Sequence, residues 1–468
     1  MTREKDAEAR GSLQWLEWVF AAGVLACGLW VAYLTVTEWY FPQPFFYDTD
    51  DTFRDWYSTA IWAHEQGAYD TWLSVYPPLT FAVLKFLGIP ACYEYAPLST
   101  VRDCDWLGIA VIHGFYVLNA VLVSIIYMRM DRKTALPRAF TITAGMPMLF
   151  GLERGNVILL CFTCVMLAWG PLVRSARWRW LNVGMVVNFK VYMIAAVLVQ
   201  LVRRRWLWVE SAVLGIVFVY LVSFLVYGEG TPKEIVDNLV NFAQGFYSAE
   251  VSILSFWYPN TFNPLHLVLS DSYAPVTTLI GEDAVVWGLF IITAAMRTGQ
   301  LMALLAIASA WLRPEAVAPH RLTLLAISFV MITQETSAYT QPIMFYFVFM
   351  ERWKGWLVPI AISLTYLVSL PGDVMLGGGL WFMQFSYIAD QFVIVERGLG
   401  VGMFLRPFGL ILITVLFSLD TMALVLRDIR RDGWQHRWRF RNDWPLLPRI
   451  LRPLSPATRA ELSAEGVA

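Results

Sequence analysis

The chain has 468 residues, is 58% hydrophobic and 15% charged, and carries a net charge of −1; its mean hydropathy is +0.54. Soluble domains are about 25% charged and about 45–50% apolar, so this composition excludes a soluble enzyme and predicts an integral membrane protein. No Gly-rich nucleotide loop occurs, and nothing in the charge pattern suits nucleic acid.

In chain order, residues 1–12 read as a short N-terminus with balanced charge. Arg3 to Arg10 hold three basic and three acidic residues. The apolar run 13–37 that follows is too long for a signal core. Val24-Leu25-Ala26-Cys27 resembles a lipoprotein cleavage site only faintly, so an ordinary first span is predicted. Further runs able to span, about 20 residues each, fall at 106–128, 207–227, 285–312 and 404–426. Shorter runs lie at 139–152, 156–172, 181–189, 191–202, 322–333, 341–350 and 356–371. The predicted fold is an all-α polytopic membrane domain over 13–426, with about twelve transmembrane or half-transmembrane helices. Large loops at 38–105, 228–284 and 372–403 should carry short interfacial helices, and 427–468 forms a basic tail. The run 181–189, at about 1.5 Å per helical residue, is too short to cross a core of roughly 30 Å. Half-helices that meet inside a membrane must line protein or a water cavity.

Basic residues choose the face. Arg129, Arg132, Lys133 and Arg138 share one short loop; Arg174, Arg177 and Arg179 share the next; Arg203, Arg204 and Arg205 share a third. Arg352 and Lys354 follow, and nine Arg fall after residue 426. All lie on alternate loops, which the positive-inside rule makes cytoplasmic. Both termini are then cytoplasmic, and the three large loops face the exterior. The 22 Trp and 20 Tyr suit a protein with many water–lipid boundaries.

The first large loop, 38–105, holds ten acidic and three basic residues. Asp48, Asp50, Asp51 and Asp55 precede a helix predicted over 52–66. Asp51 and Asp55 are four apart and would share a helical face. They suit a general base, and equally a solvated helix start where carboxylates are favourable. Glu153-Arg154-Gly155-Asn156 places charge between two apolar runs, with glycine for a tight turn. Intramembrane ionisable residues point to function or to an internal ion pair. Lys190, flanked by Asn188 and Tyr192, suits a phosphate or snorkels to the interface. Arg297 interrupts an apolar run near its middle and needs a partner or an anion. Gln334, Glu335 and Tyr339 form a polar turn able to meet a sugar or to cap helices. His266 sits among aromatics and amides, and Arg406 reads as an interfacial anchor. Cys92 and Cys104 fall in one external loop, where an oxidising compartment permits a disulfide. Cys161 and Cys164 read as packing.

Together, in this order, Asp55-Trp56-Tyr57, Gly67-Ala68-Tyr69-Asp70, Tyr76-Pro77-Pro78-Leu79, Glu153-Arg154-Gly155-Asn156, Asn188-Phe189-Lys190-Val191-Tyr192 and Arg203-Arg204-Arg205-Trp206 resemble the GT-C class of membrane glycosyltransferases. The likeness is greatest to glycosyltransferase family 87, whose members include polyprenyl-phosphate-sugar-dependent mannosyltransferases. It covers the first half of the chain best. Met193 departs from the proline the family often carries there. The resemblance implies a hexosyltransferase of the plasma (inner) membrane with its active site outside. It would move a mannose-like sugar from a polyprenyl phosphate to a hydroxyl of a lipid- or glycan-linked acceptor, with inversion and without a metal cofactor. It implies a catalytic Asp in the first loop, with Asp55, Asp51, Asp48 and Asp50 all open. Arg154, Lys190 and Arg297 would bind the donor phosphate, and Glu153, Asn156, Asn188, Tyr192, Tyr76, His266 and Glu335 would complete the substrate site. A transporter or flippase, or a polymerase or ligase of lipid-linked saccharides, is the alternative.

Overall fold

A computed structural model describes residues 14–42, 45, 49–50, 52–65, 67–94, 97–243, 278, 281–332, 338–374, 380–397 and 400–434. The helices in chain order are α1 (Trp15–Glu38), α2 (Arg54–His64), α3 (Pro78–Phe86), α4 (Leu98–Cys104), α5 (Trp106–Met130), α6 (Ala135–Ala144), α7 (Met146–Glu153), α8 (Ile158–Trp169) and α9 (Ala176–Phe189). There follow α10 (Ile194–Leu198), α11 (Trp206–Tyr227), α12 (Pro232–Ala243), α13 (Glu282–Ala310), α14 (Pro319–Met331), α15 (Gln341–Phe349), α16 (Leu357–Val368) and α17 (Gly402–Asp432).

Among the described residues, four helices are long and apolar enough to cross a bilayer: Trp15–Glu38, Trp106–Met130, Trp206–Tyr227 and Leu405–Asp432. Their large apolar side chains stay exposed, as at Leu29, Val36, Phe218 and Leu225, which water would penalise and lipid would not. The shorter apolar helices are broken where the backbone demands it. The run 139–152 divides at Gly145, where a side chain would strike the Thr141 carbonyl at 2.3 Å. The run 181–189 proves to be the end of a longer helix: α9 has 14 residues and begins at Ala176. Arg177, Trp178 and Arg179 hid its first turns from a search for apolar runs. The run 191–202 is a chain of 3-10 and α turns, Val191–Met193, Ile194–Leu198 and Val199–Arg203.

The molecule is mostly helical but not all-α. The third large loop forms an antiparallel hairpin, β1 (Leu380–Ser386) with β2 (Gln391–Arg397), in register Leu380↔Arg397 to Ser386↔Gln391. The other large loops do carry short helices: α2, α3 and α4 in the first, α12 in the second.

These loops meet on one face. Trp39 and Tyr40, just past the end of α1, hold the hairpin through the Ser386 hydroxyl and the Glu396 amide. Glu229 accepts bonds from the Gly67 and Ala68 amides at 3.2 and 3.3 Å, and Asn238 donates to the Tyr69 and Ser74 carbonyls. At the opposite end of α1, Arg138 grips Glu17 with bonds of 2.6 and 2.7 Å. Arg321 joins Glu351 at 2.6 Å and Asp420 at 2.9 Å.

Candidate functional site

The site is built on the turn that ends α7. The helix stops at Glu153, and the chain reverses through Gly155 at φ +63. A side chain there would meet Ile112, the Trp56 Cβ and the Phe53 Cα at 3.0 to 3.2 Å. Glycine is required both for the dihedral and for this approach. The approach matters because the first loop is strapped to the turn by backbone bonds. Phe53 donates to the Glu153 carbonyl at 2.7 Å, and Asp55 to the Arg154 carbonyl at 3.1 Å.

Asp55 therefore lies in the first turn of α2, beside the α7 turn. Its Oδ1 receives Arg154 Nη2 at 2.6 Å and Nε at 3.1 Å. Its Oδ2 receives the Asn156 amide at 2.8 Å. The Asn156 oxygen accepts the Ile158 N–H at 2.9 Å, which orients the amide so that its NH₂ faces the carboxylate. Both Asp55 and Arg154 remain about one-fifth exposed, at 20% and 19%. The carboxylate is thus fixed in direction, yet reachable.

Helix α2 begins at Arg54, with Phe53 at φ 60 before it. The helix predicted from residue 52 thus starts two residues later. Asp51, Asp48, His266 and Glu335 lie outside the described residues, as does Gln334. Asp50 is spoken for: buried Arg102 binds its Oδ1 at 2.6 Å and its carbonyl at 2.7 Å. Arg102 also stacks over the Tyr387 ring at 3.8 Å. Asp50, 39% exposed, thereby ties its loop to α4, while Asp55, 20% exposed, is held at the turn.

Lys190 sits in extended backbone at the end of α9. Its Nζ lies 3.2 Å from the Tyr76 hydroxyl, 4.6 Å from the centre of the Tyr76 ring and 5.4 Å from that of Tyr339. Aromatic faces attract a cation, but no described carboxylate pairs with this one. Tyr192 stands beside Tyr76 and Tyr339. Tyr339 stacks on Phe150 with ring centres 5.8 Å apart, so the Lys190 cage leans on the helix that presents Arg154.

Two candidates are placed elsewhere. Asn188 donates to the Gly184 and Ile216 carbonyls and joins α9 to α11 where Gly184 and Gly215 let them touch; it is a packing residue. Arg297 lies on the exposed side of α13 and bonds to Gln300 at 2.9 Å. Among the described residues it makes no bond to Asp55, Arg154 or Lys190. Glu153 is buried at 4% and contributes its carbonyl to the strap.

Sequence reasoning missed Arg102 and the network around Asp105. Asp105 accepts from Tyr93 at 2.5 Å and caps α5 at the Gly108 amide. Its carbonyl takes the Tyr57 hydroxyl at 2.7 Å. Burial, then the Asp105 charge, raises the Tyr57 hydroxyl well above its ordinary value, so it stays a donor. The Cys92–Cys104 disulfide forms beside this network. Arg102 was the one basic residue close to the cysteines, the only signal in the sequence.

A cavity of about 430 Å³ lies between the first and second large loops, walled by Tyr69, Asp70, Glu229, Gly230 and Glu234 among others. Tyr69 donates to the Tyr76 carbonyl at 2.8 Å and so connects this cavity to the partner of Lys190. Carboxylates and carbonyls here suit the hydroxyls of a sugar. Comparison with protein-family models, with curated proteins and with solved structures found no match to this chain.

Proposed function

We propose that the protein is a GT-C-like membrane glycosyltransferase, with about twelve full or half crossings and its loop face outside the plasma membrane. It transfers a mannose-like sugar from a polyprenyl phosphate to a hydroxyl of a lipid- or glycan-linked acceptor. The observation that carries this reading is the carboxylate of Asp55, aimed by Arg154 and Asn156 yet still open to a ligand. Lys190, a cation that meets aromatic rings and a phenol among the described residues, supports it.

In this reading the acceptor oxygen attacks the anomeric carbon as the carbon–oxygen bond to phosphate breaks, and the configuration inverts. The proton passes to Asp55, a general base within hydrogen-bond reach. The electron pair leaves on the polyprenyl phosphate, whose growing charge Lys190 stabilises, an electrostatic effect that often dominates. Arg154, engaged by Asp55, positions the base instead of gripping the donor. The acceptor enters through the cavity of Asp70 and Glu229. The leaving group carries one phosphate, so no metal is called for.

The decisive measurement is sugar transfer in detergent from a panel of radiolabelled polyprenyl-phosphate monosaccharides, with a membrane glycolipid extract as acceptor. Transfer from a monophosphate donor is expected. Turnover of diphosphate-linked donors alone would instead favour a polymerase or ligase, and no turnover with any donor would leave the transporter reading ahead.

A further inference from the structure

We propose that the β1–β2 hairpin lies flat in the outer boundary of the bilayer, with its outward face resting on membrane lipid. This goes beyond glycosyl transfer and does not depend on it; it rests on the membrane character of the chain.

Strands present alternate side chains to opposite faces. The inward face of this hairpin is packed: Val395 is fully buried, and with Val393 it covers Tyr40. The outward face carries Trp381, Met383, Phe392 and Ile394, which are 65%, 75%, 66% and 63% exposed. Met383 and Ile394 are direct cross-strand partners, as are Phe385 and Phe392, so the apolar surface runs along the hairpin, with Glu396 opposite Trp381 near its open end. A patch of this kind in water marks an interaction site.

The level of the hairpin names the occupant. Its inward face grips Trp39 and Tyr40, the first residues beyond the end of the spanning helix α1. Its base is tied to the mouth of two further membrane helices. Val401 donates to the Val374 carbonyl and Gly402 to Asp373, both at the start of α17. Arg406 binds the Leu370 and Gly372 carbonyls beyond α16. The apolar face thus continues the lipid-facing surface of α1, where Val36 and Trp39 are 69% and 50% exposed. A two-stranded sheet has two open edges of backbone N–H and C=O groups, which hydrocarbon cannot satisfy. The hairpin therefore rests at headgroup level, where a tryptophan is at home. At its tip Tyr387 stacks under Arg102 and meets Phe53 edge-on at 6.1 Å. The surface that touches lipid is thereby joined to the strap that seats Asp55.

The test uses full-length protein in vesicles of phosphatidylethanolamine and phosphatidylglycerol, one of them radiolabelled. The photo-crosslinker p-benzoylphenylalanine replaces Met383 or Phe392 on the outward face, or Asp390 at the exposed turn. Lipid adducts from 383 and 392, with background yield from 390, are expected. Equal lipid yield from all three positions overturns the proposal. So do adducts between two copies of the chain, or absence of lipid adducts at 383 and 392. All three sites are exposed, and a monodisperse elution profile checks that each variant folds.

Discussion

The two ends of α1 solve the problem of charge beside lipid in opposite ways. At the Glu17 end, ionised groups are saturated and sealed. Arg138 spends its donors on Glu17 and on the Phe349 and Glu351 carbonyls, and Tyr366 completes Glu17 at 2.8 Å; Glu17 is wholly buried and Arg138 4% exposed. At the loop end, Asp55 is aimed but open, and Lys190 rests against rings. A buried ion pair with every bond made holds helices in register. A partly open carboxylate, and a cation that no described carboxylate pairs, leave interactions for a ligand to complete. On the proposed function, that difference separates the charges that hold the architecture from those that act on a ligand.

The largest way to break the comparison is at Asp55. Asp55→Asn should keep the fold and lower transfer by about a thousandfold, or about 4 kcal/mol of barrier, with Asp50→Asn much milder. If both variants retain wild-type rates in the radiolabel assay, the loop end is architecture too. At the other end, Arg138→Ala strands a buried carboxylate and should cost about 3–5 kcal/mol. Thermal unfolding in detergent would show the loss, while the rate per folded molecule stays unchanged.

Acid should act on the sealed end next. Burial pushes the Glu351 carboxyl up, but its bonds to Arg321 and His320 outweigh that and bring it to about 2. A carboxyl lowered in the fold stabilises above its unfolded value of 4.5, and that contribution fades as pH falls from there toward 2. It amounts to a few kcal/mol. Unfolding midpoints measured down this window should drop, and Glu351→Gln should flatten the drop. The smallest effect is expected at Lys190→Ala: roughly tenfold weaker donor binding, about 1.4 kcal/mol, with little change in stability. Titration with a polyprenyl-phosphate sugar reads it directly, and an unchanged affinity would remove Lys190 from the site.

Much of the site was legible because its parts are local. Gly155 announces a tight turn, and Glu153, Arg154 and Asn156 between apolar runs announce a site where charge must find partners. Lys190 between two apolar helices announced itself in the same way. The ambiguity among four aspartates was not resolvable from spacing, because the partners of Asp50 and Asp55, Arg102 and Arg154, lie 52 and 99 residues away. Arg154 was read as a phosphate ligand since a lone arginine carries no record of its partner, 99 residues away. Arg297 looked deep by its place in an apolar run; which side of α13 it faces depends on neighbours that the run does not encode.

Hydrophobicity determines that this chain is a mostly helical membrane protein, because transfer free energy depends on each segment alone. Pairing was decided only by tertiary structure. Asp50 went to Arg102 and Asp55 to Arg154, Asn188 turned into a helix contact, and the third loop became strands with one apolar face. Those outcomes depend on distances between segments remote in sequence, and charge–charge and hydrogen-bond energies fall away within a few ångströms.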